Sequence, residues 1–227
     1  MSTERFNAIV GATGKVGRLV VQQLLRNPQV ETVTALVRTQ RPAEFYNVSD
    51  DEAARLHQVP VQFGSLNASG AELFQVPTQL GFCCLGTTRA AAGSARAFEL
   101  VDYDYVVESA TLMKQHGVSR FSLCSSQGAS SSSWFLYPKT KGRAEEACKN
   151  LDFEHCSIAR PGMLFGRNDK SRTLEYWVGK ITPSFAGVHI QKVAIAIVHN
   201  ALQEQPEELL TNSRLKEIAE HVGNHFE

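Results

Sequence analysis

Tyr137 and Lys141 stand four residues apart in "FLYPKTKGRAEE", a spacing that puts both side chains on one face if the stretch is helical. A phenol titrating at about 10 exchanges protons poorly at neutral pH. A neighbouring ammonium that stabilises the phenolate turns it into a usable acid and base, and Lys141 is such a cation. Shortly upstream, "RFSLCSSQG" carries Ser125 and Ser126 at the end of an apolar run. A hydroxyl at the carboxyl end of a strand can hydrogen-bond a substrate oxygen and hold it against the phenol. The residue types leave both serines open for that task. The set suits proton transfer at a carbonyl or alcohol carbon.

Such chemistry needs a hydride carrier, and "AIVGATGKVGRLV" offers a place for one. Gly11, Gly14 and Gly17 form G-x-x-G-x-x-G behind an apolar run and ahead of a stripe of Val16, Leu19, Val20 and Leu24. Glycines at a strand-to-helix turn let the backbone approach closely, so that helix N–H groups and the positive end of the helix dipole meet a pyrophosphate. A mononucleotide P-loop fails on spacing, because positions 9 and 16 hold Ile9 and Val16 instead of glycine and a hydroxyl residue. The second apolar run ends "ALVRTQR", with Arg38 and Arg41 and no acid. A carboxylate there suits the ribose 2′-OH of NAD, whereas an arginine suits the 2′-phosphate of NADP. The expected cofactor is NADP(H).

Short apolar runs alternate with helical patterns along the chain, the signature of βαβ units. This predicts an α/β fold with a doubly wound, mostly parallel, Rossmann-like sheet. The expected organisation is a single domain over 1–227, with 161–227 contributing a small irregular substrate-side region. Strands are expected at "NAIVG", "ETVTALV", "VPVQF", "GFCCLG", "RFSLCSS" and "HCSIARPG". Helices are expected at "KVGRLVVQQLLRN", from "VDYDYVVES" to a C-cap at Gly117, and at "YPKTKGRAEEACKN", "VAIAIVHNALQ" and "SRLKEIAEHVG". The serine-rich "SSQGASSSSW" reads as a flexible loop. Tyr176, Trp177 and Phe185 read as core in a stretch that resists assignment.

Composition narrows the field. Basic and acidic residues balance at 23 each, which argues against nucleic acid or an anionic surface as a partner. No apolar run reaches the roughly 18 residues of a membrane span, and the first residues carry no apolar signal core. A soluble cytoplasmic protein is expected, without membrane insertion. Cys83, Cys84, Cys124, Cys148 and Cys156 have no paired C-x-x-C spacing and read as buried thiols, with Cys83 and Cys84 on opposite faces of a strand. His221 and His225 lack a nearby third ligand, so no metal site is expected. Neither serine of "CSSQG" has the leading glycine of a hydrolase elbow.

The chain resembles an atypical short-chain dehydrogenase/reductase, and within that superfamily the Tat-interacting-protein-like branch. The match is carried by "GATGKVG", "GFCCLGTTR", "VDYDYV", "LCSSQGASSSSWFLYPKTKG" and "IARPGMLFG". The resemblance implies that Thr13, Gly14, Lys15 and Val16 line the pyrophosphate turn, Arg38 the 2′-phosphate, and Leu85 and Gly86 the adenosine side. It implies Tyr137 as acid/base and Lys141 as holder of the nicotinamide ribose and stabiliser of the phenolate. It favours Ser126 over Ser125 as the hydroxyl, and sets Pro161, Gly162 and Leu164 beside the nicotinamide. Against the superfamily the C-terminal region is short, so a small or open substrate pocket is expected. Two positions depart from the superfamily pattern: Ser65 stands where an acid often faces the adenine, and Asp102 where an asparagine commonly supports a proton relay.

The reading is an NADP(H)-dependent oxidoreductase acting on a small-molecule carbonyl or alcohol. Two alternatives share the site: an NADPH-sensing regulatory protein whose loops present themselves to a protein partner, and an epimerase or isomerase. Neither the substrate nor the oligomeric state is legible in the residues.

Overall fold

The computed structural model describes residues 6–12, 14–66, 74, 76–166 and 187–223. Thr13, His225, and the aromatic residues Tyr176, Trp177 and Phe185 lie outside the described residues.

In chain order the elements are β1 (Phe6–Gly11), α1 (Lys15–Arg26), β2 (Val30–Val37), α2 (Ala43–Tyr46), α3 (Asp50–Ala53), β3 (Leu56–Pro60) and β4 (Leu80–Cys83). Next come α4 (Arg89–Ala92), α5 (Ala95–Glu99), a π turn (Leu100–Asp104), α6 (Tyr105–Gln115), β5 (Arg120–Cys124), α7 (Leu136–Lys149) and β6 (His155–Arg160). The chain continues through β7 (Met163–Phe165), β8 (Gly187–His189), α8 (Ile190–Ala201), β9 (Leu209–Thr211) and α9 (Asn212–Gly223).

The main sheet runs β3-β2-β1-β4-β5-β6-β9, and every pair in it is parallel. Strand order reverses direction between β1 and β4, the point where open α/β sheets leave a crevice at their carboxyl ends. Helices cover both faces, so the strands alternate between two cores. Ala8, Val33, Ala35, Val37 and Phe82 pack with α1 and α8, whereas Ile9, Leu36, Cys83 and Leu123 pack with α6 and α7. The doubly wound expectation is met. Among the described residues no helix is long and apolar enough to cross a membrane.

Three details differ from the sequence reading. The third strand spans Leu56–Pro60 instead of "VPVQF"; Pro60 is tolerated because the strand lies on the sheet edge, and the Val61 N–H still donates to Val37 O at 2.8 Å. The short strand β9 extends the sheet beside β6, and β7 and β8 make a separate two-stranded pair. Neither was foreseen, since three-residue strands carry too little periodicity to read. The serine stretch is fixed by specific bonds: Gln127 N–H donates to Pro161 O at 2.8 Å and Ser130 N–H to Pro138 O at 3.0 Å.

Candidate functional site

The glycine turn is shaped by close approaches that leave no room for side chains. A Cβ on Gly17 would lie 2.6 Å from the Gly11 carbonyl oxygen, so glycine is what lets α1 press against the end of β1. Cβ atoms on Gly11 and Gly14 would meet Leu85 and the Cys84 carbonyl oxygen, each at 3.4 Å. Gly14 is the N-cap of α1 and supplies no side-chain bond to its first turn, which also contains no acid. The positive end of the helix dipole therefore faces the crevice. Lys15 is half-buried and Val16 buried there. These features fit a pyrophosphate.

Beyond β2, Arg38 is exposed. Arg41 is engaged elsewhere: its guanidinium lies over the Phe45 ring at 5.7 Å and its backbone N–H donates to Gln58 at 2.8 Å. Arg18, which the sequence reading passed over, lies over the same ring at 5.9 Å.

Across the crevice, α7 carries Tyr137 and Lys141. Tyr137 is the second residue of the helix, 42% exposed, with its ring stacked on Phe98 at 5.6 Å. One turn on, Lys141 is buried and its Nζ meets Oδ1 of Asp102 at 2.8 Å. Asp102 is wholly buried in the π turn, and its Oδ2 accepts the Thr87 N–H at 2.8 Å. Such widened turns often mark functional positions. Burial pulls the Lys141 ammonium down, but Asp102 and then Tyr137 favour its charge, and the net direction is upward. Lys141 is thus held as a cation one turn from the phenol. A Cβ on Gly86 would sit 3.2 Å from Lys141 Nζ and 3.4 Å from Asp102 Oδ1, so Gly86 lets strand β4's exit pass directly over the pair.

The two serines part company. Ser125 is buried and its hydroxyl donates to Glu145; Glu145 also accepts from Arg160 Nε at 3.0 Å. Ser126 is half-buried and, among the described residues, its hydroxyl reaches only the Gln127 carbonyl, at 3.3 Å. Ser126 is therefore the more available donor. The loop bearing it packs on α7 at Gly142, where a Cβ would lie 2.2 Å from Ser131 N and 2.3 Å from Ser130 C. Pro161 accepts from Gln127, and the Gly162 N–H donates to Asn212 Oδ1 at 2.8 Å. Leu164 lies in β7, paired with Val188.

The sequence reading missed the direct Asp102–Lys141 pair, the Glu145–Arg160 pair and the seat at Gly142. The departure at Asp102 signalled the first; the others depend on contacts between distant segments. A groove lined by Gln29, His199, Gln203, Glu207, Arg214 and His221 lies by the amino ends of the strands, opposite this site.

Comparison with known proteins supports the same frame. The NAD(P)H-binding family matches residues 11–206. Protein HTATIP2 of Rattus norvegicus is 36% identical over 190 residues, covering 84% of this chain and 75% of that protein. Protein FMP52, mitochondrial, of Candida albicans is 37% identical over 166 residues, covering 73% of this chain and 70% of that protein. Among solved structures, epimerase Mth375 of Methanothermobacter thermautotrophicus superposes with a TM-score of 0.70 at 13% identity, covering 98% of this chain and 78% of that one. The Bordetella bronchiseptica enzyme WbmF, solved with NAD+, gives 0.67 at 15% identity, covering 100% and 81%. These two show a shared fold. With sequence, topology and relatives in agreement, the chain belongs to the NAD(P)H-binding family, as an atypical short-chain dehydrogenase/reductase of the Tat-interacting-protein-like branch.

Proposed function

We propose that this protein is an NADP(H)-dependent oxidoreductase acting on a small carbonyl or alcohol. The observation that carries the reading is the buried Asp102–Lys141 pair one helical turn from the half-exposed Tyr137. A protein that only sensed its cofactor would need no buried cation beside a phenol.

Gly11, Thr13, Gly14, Lys15, Val16 and Gly17 would hold the pyrophosphate, Arg38 the 2′-phosphate, and Leu85 and Gly86 the adenosine side. Lys141 would also hold the ribose, with Pro161, Gly162 and Leu164 walling the nicotinamide and the 161–227 region supplying the substrate side. When bound, the dinucleotide supplies reversible hydride transfer. In the reducing direction the Ser126 hydroxyl donates to the substrate oxygen and Tyr137 delivers its phenolic proton there; Lys141 stabilises the phenolate left behind. Asp102 acts through Lys141 as a positioning residue, fixing the ammonium toward the phenol. In the oxidising direction Tyr137 takes the proton back.

Titration of the purified chain with NADPH and NADH tests the cofactor half: NADPH binds more tightly, and Arg38→Ala removes most of the difference. Equal affinity for the two would reject the NADP assignment. For location, the mitochondrial names of the fungal relatives are the alternative to the cytoplasmic expectation, and cell fractionation decides between them.

A further inference from the structure

We infer that Cys84 and Cys124 form a redox-active dithiol at the floor of the crevice, closing to a reversible disulfide that disturbs the glycine turn. The influence on the turn rests on the dinucleotide reading above; formation of the disulfide does not.

Strands β4 and β5 run parallel in a register that ends Cys83↔Leu123. The next step along both strands brings Cys84 beside Cys124. Neighbouring strands lie about 4.8 Å apart, inside the roughly 4.4–6.8 Å between Cα atoms that a disulfide spans. Both side chains belong to the layer against α1, while Cys83 belongs to the opposite layer. Cys84 therefore faces Cys124 and turns away from its chain neighbour. Each thiol is the largest influence on the other's titration. Cys84 is half-buried and Cys124 is 9% exposed, within reach of a small oxidant.

The pair is unlike the other cysteines. Burial pushes Cys83 and Cys156 up to about 11 and Cys148 higher still. Cys124 alone is pulled below its ordinary value, by the neighbouring Cys84 thiol and, against burial, by the Lys141 charge. Its partner Cys84 is held well above. The roles follow. The Cys124 thiolate attacks one oxygen of hydrogen peroxide, the O–O bond breaks, and the departing hydroxide takes up a proton as water. The Cys84 sulfur then attacks the Cys124 sulfenic acid, forming the S–S bond and releasing a second water. Two thiols give up two electrons and two protons, and one peroxide becomes two waters. The Cys84 carbonyl oxygen lies 3.4 Å from where a Gly14 Cβ would be, so drawing Cys84 toward Cys124 shifts the wall against which the turn is built.

The test exposes the reduced full-length protein to hydrogen peroxide, alkylates the remaining thiols and maps the products by mass spectrometry. A Cys84–Cys124 cross-link reversed by dithiothreitol is expected, and it persists in a Cys148→Ser/Cys156→Ser double variant. In Cys84→Ala, Cys124 stops at sulfenic acid and is trapped by dimedone. NADPH affinity of the wild-type chain falls at least tenfold on oxidation and returns on reduction. No cross-link, or sulfinic acid at Cys124 in its place, overturns the pair. A cross-link with unchanged NADPH affinity overturns the coupling to the turn. Reduced protein that binds no NADPH rejects the dinucleotide reading instead, leaving the disulfide to be judged by mass alone.

Discussion

Helix α7 carries two buried charged groups one turn apart, and they are partnered in different ways. Glu145 lies 4% exposed beneath the sheet ends and accepts from Ser125 and from two nitrogens of Arg160, whose side chain is 33% exposed. In the other pair both members are buried, Lys141 at 7% and Asp102 at 0%. Asp102 Oδ1 pairs with the ammonium at 2.8 Å, and a Cβ on Gly86 would lie 3.2 Å from the lysine Nζ. A buried carboxylate with its acceptors filled fixes packing. A buried cation with donors to share beside an open crevice can serve chemistry. The pair nearer the sheet ends is read as structural and the pair nearer the phenol as functional.

Substitutions can break that comparison. The largest effect is expected from Tyr137→Phe, which should cut turnover on any identified substrate by about 10²–10⁴-fold while moving the urea midpoint little, since the hydroxyl is half-exposed. Wild-type turnover in this variant would remove the acid/base role. Lys141→Met strands the Asp102 carboxylate without its partner and should cost about 3–5 kcal/mol in urea unfolding, with turnover lost as well. Glu145→Gln should cost about 1–3 kcal/mol and leave NADPH affinity near wild type; a large loss of affinity would erase the division between the pairs. Ser125→Ala should lower stability by about 1 kcal/mol, whereas Ser126→Ala should lower turnover and leave stability alone. The reverse pattern would exchange the two hydroxyls.

The smallest effect is in pH. The folded state raises the Lys141 ammonium above its ordinary value of 10.5. Its stabilisation is complete below the unfolded value and is lost as pH rises through the folded one. Unfolding free energy should therefore decline on the alkaline side, above about 10.5, and Asp102→Asn should flatten that limb. An unchanged limb in this variant would deny the pair its stabilising share.

Much of this was readable from local pattern. The β1–α1 turn is a short-range motif, and its glycines announce both the turn and the close approach at Gly17. Strand β2 is a β-branched run, and Tyr137 and Lys141 needed only a helix. What escaped depends on long-range pairing. Strand β9 exists because β6 offers it an edge, and β3 begins at Leu56, where the polar His57 and Gln58 hide a strand paired only with β2. The serines 130–133 look floppy in composition, yet the backbone of Ser130 and Ser131 is seated on Gly142. Cys84 and Cys124 lie far apart in the chain, so their meeting is a property of register. Asp102 was visible as an unusual residue, but only the fold puts its carboxylate against Lys141.

The seat at Gly142 has a mechanical consequence. With backbone atoms of Ser130 and Ser131 lying where any side chain would go, the loop that carries Ser126 and the helix that carries Tyr137 move as one part. The separation between hydroxyl and phenol is then a dimension of the scaffold, the same before a substrate arrives as after it leaves, and any opening or closing needed for turnover has to come from the other side of the crevice.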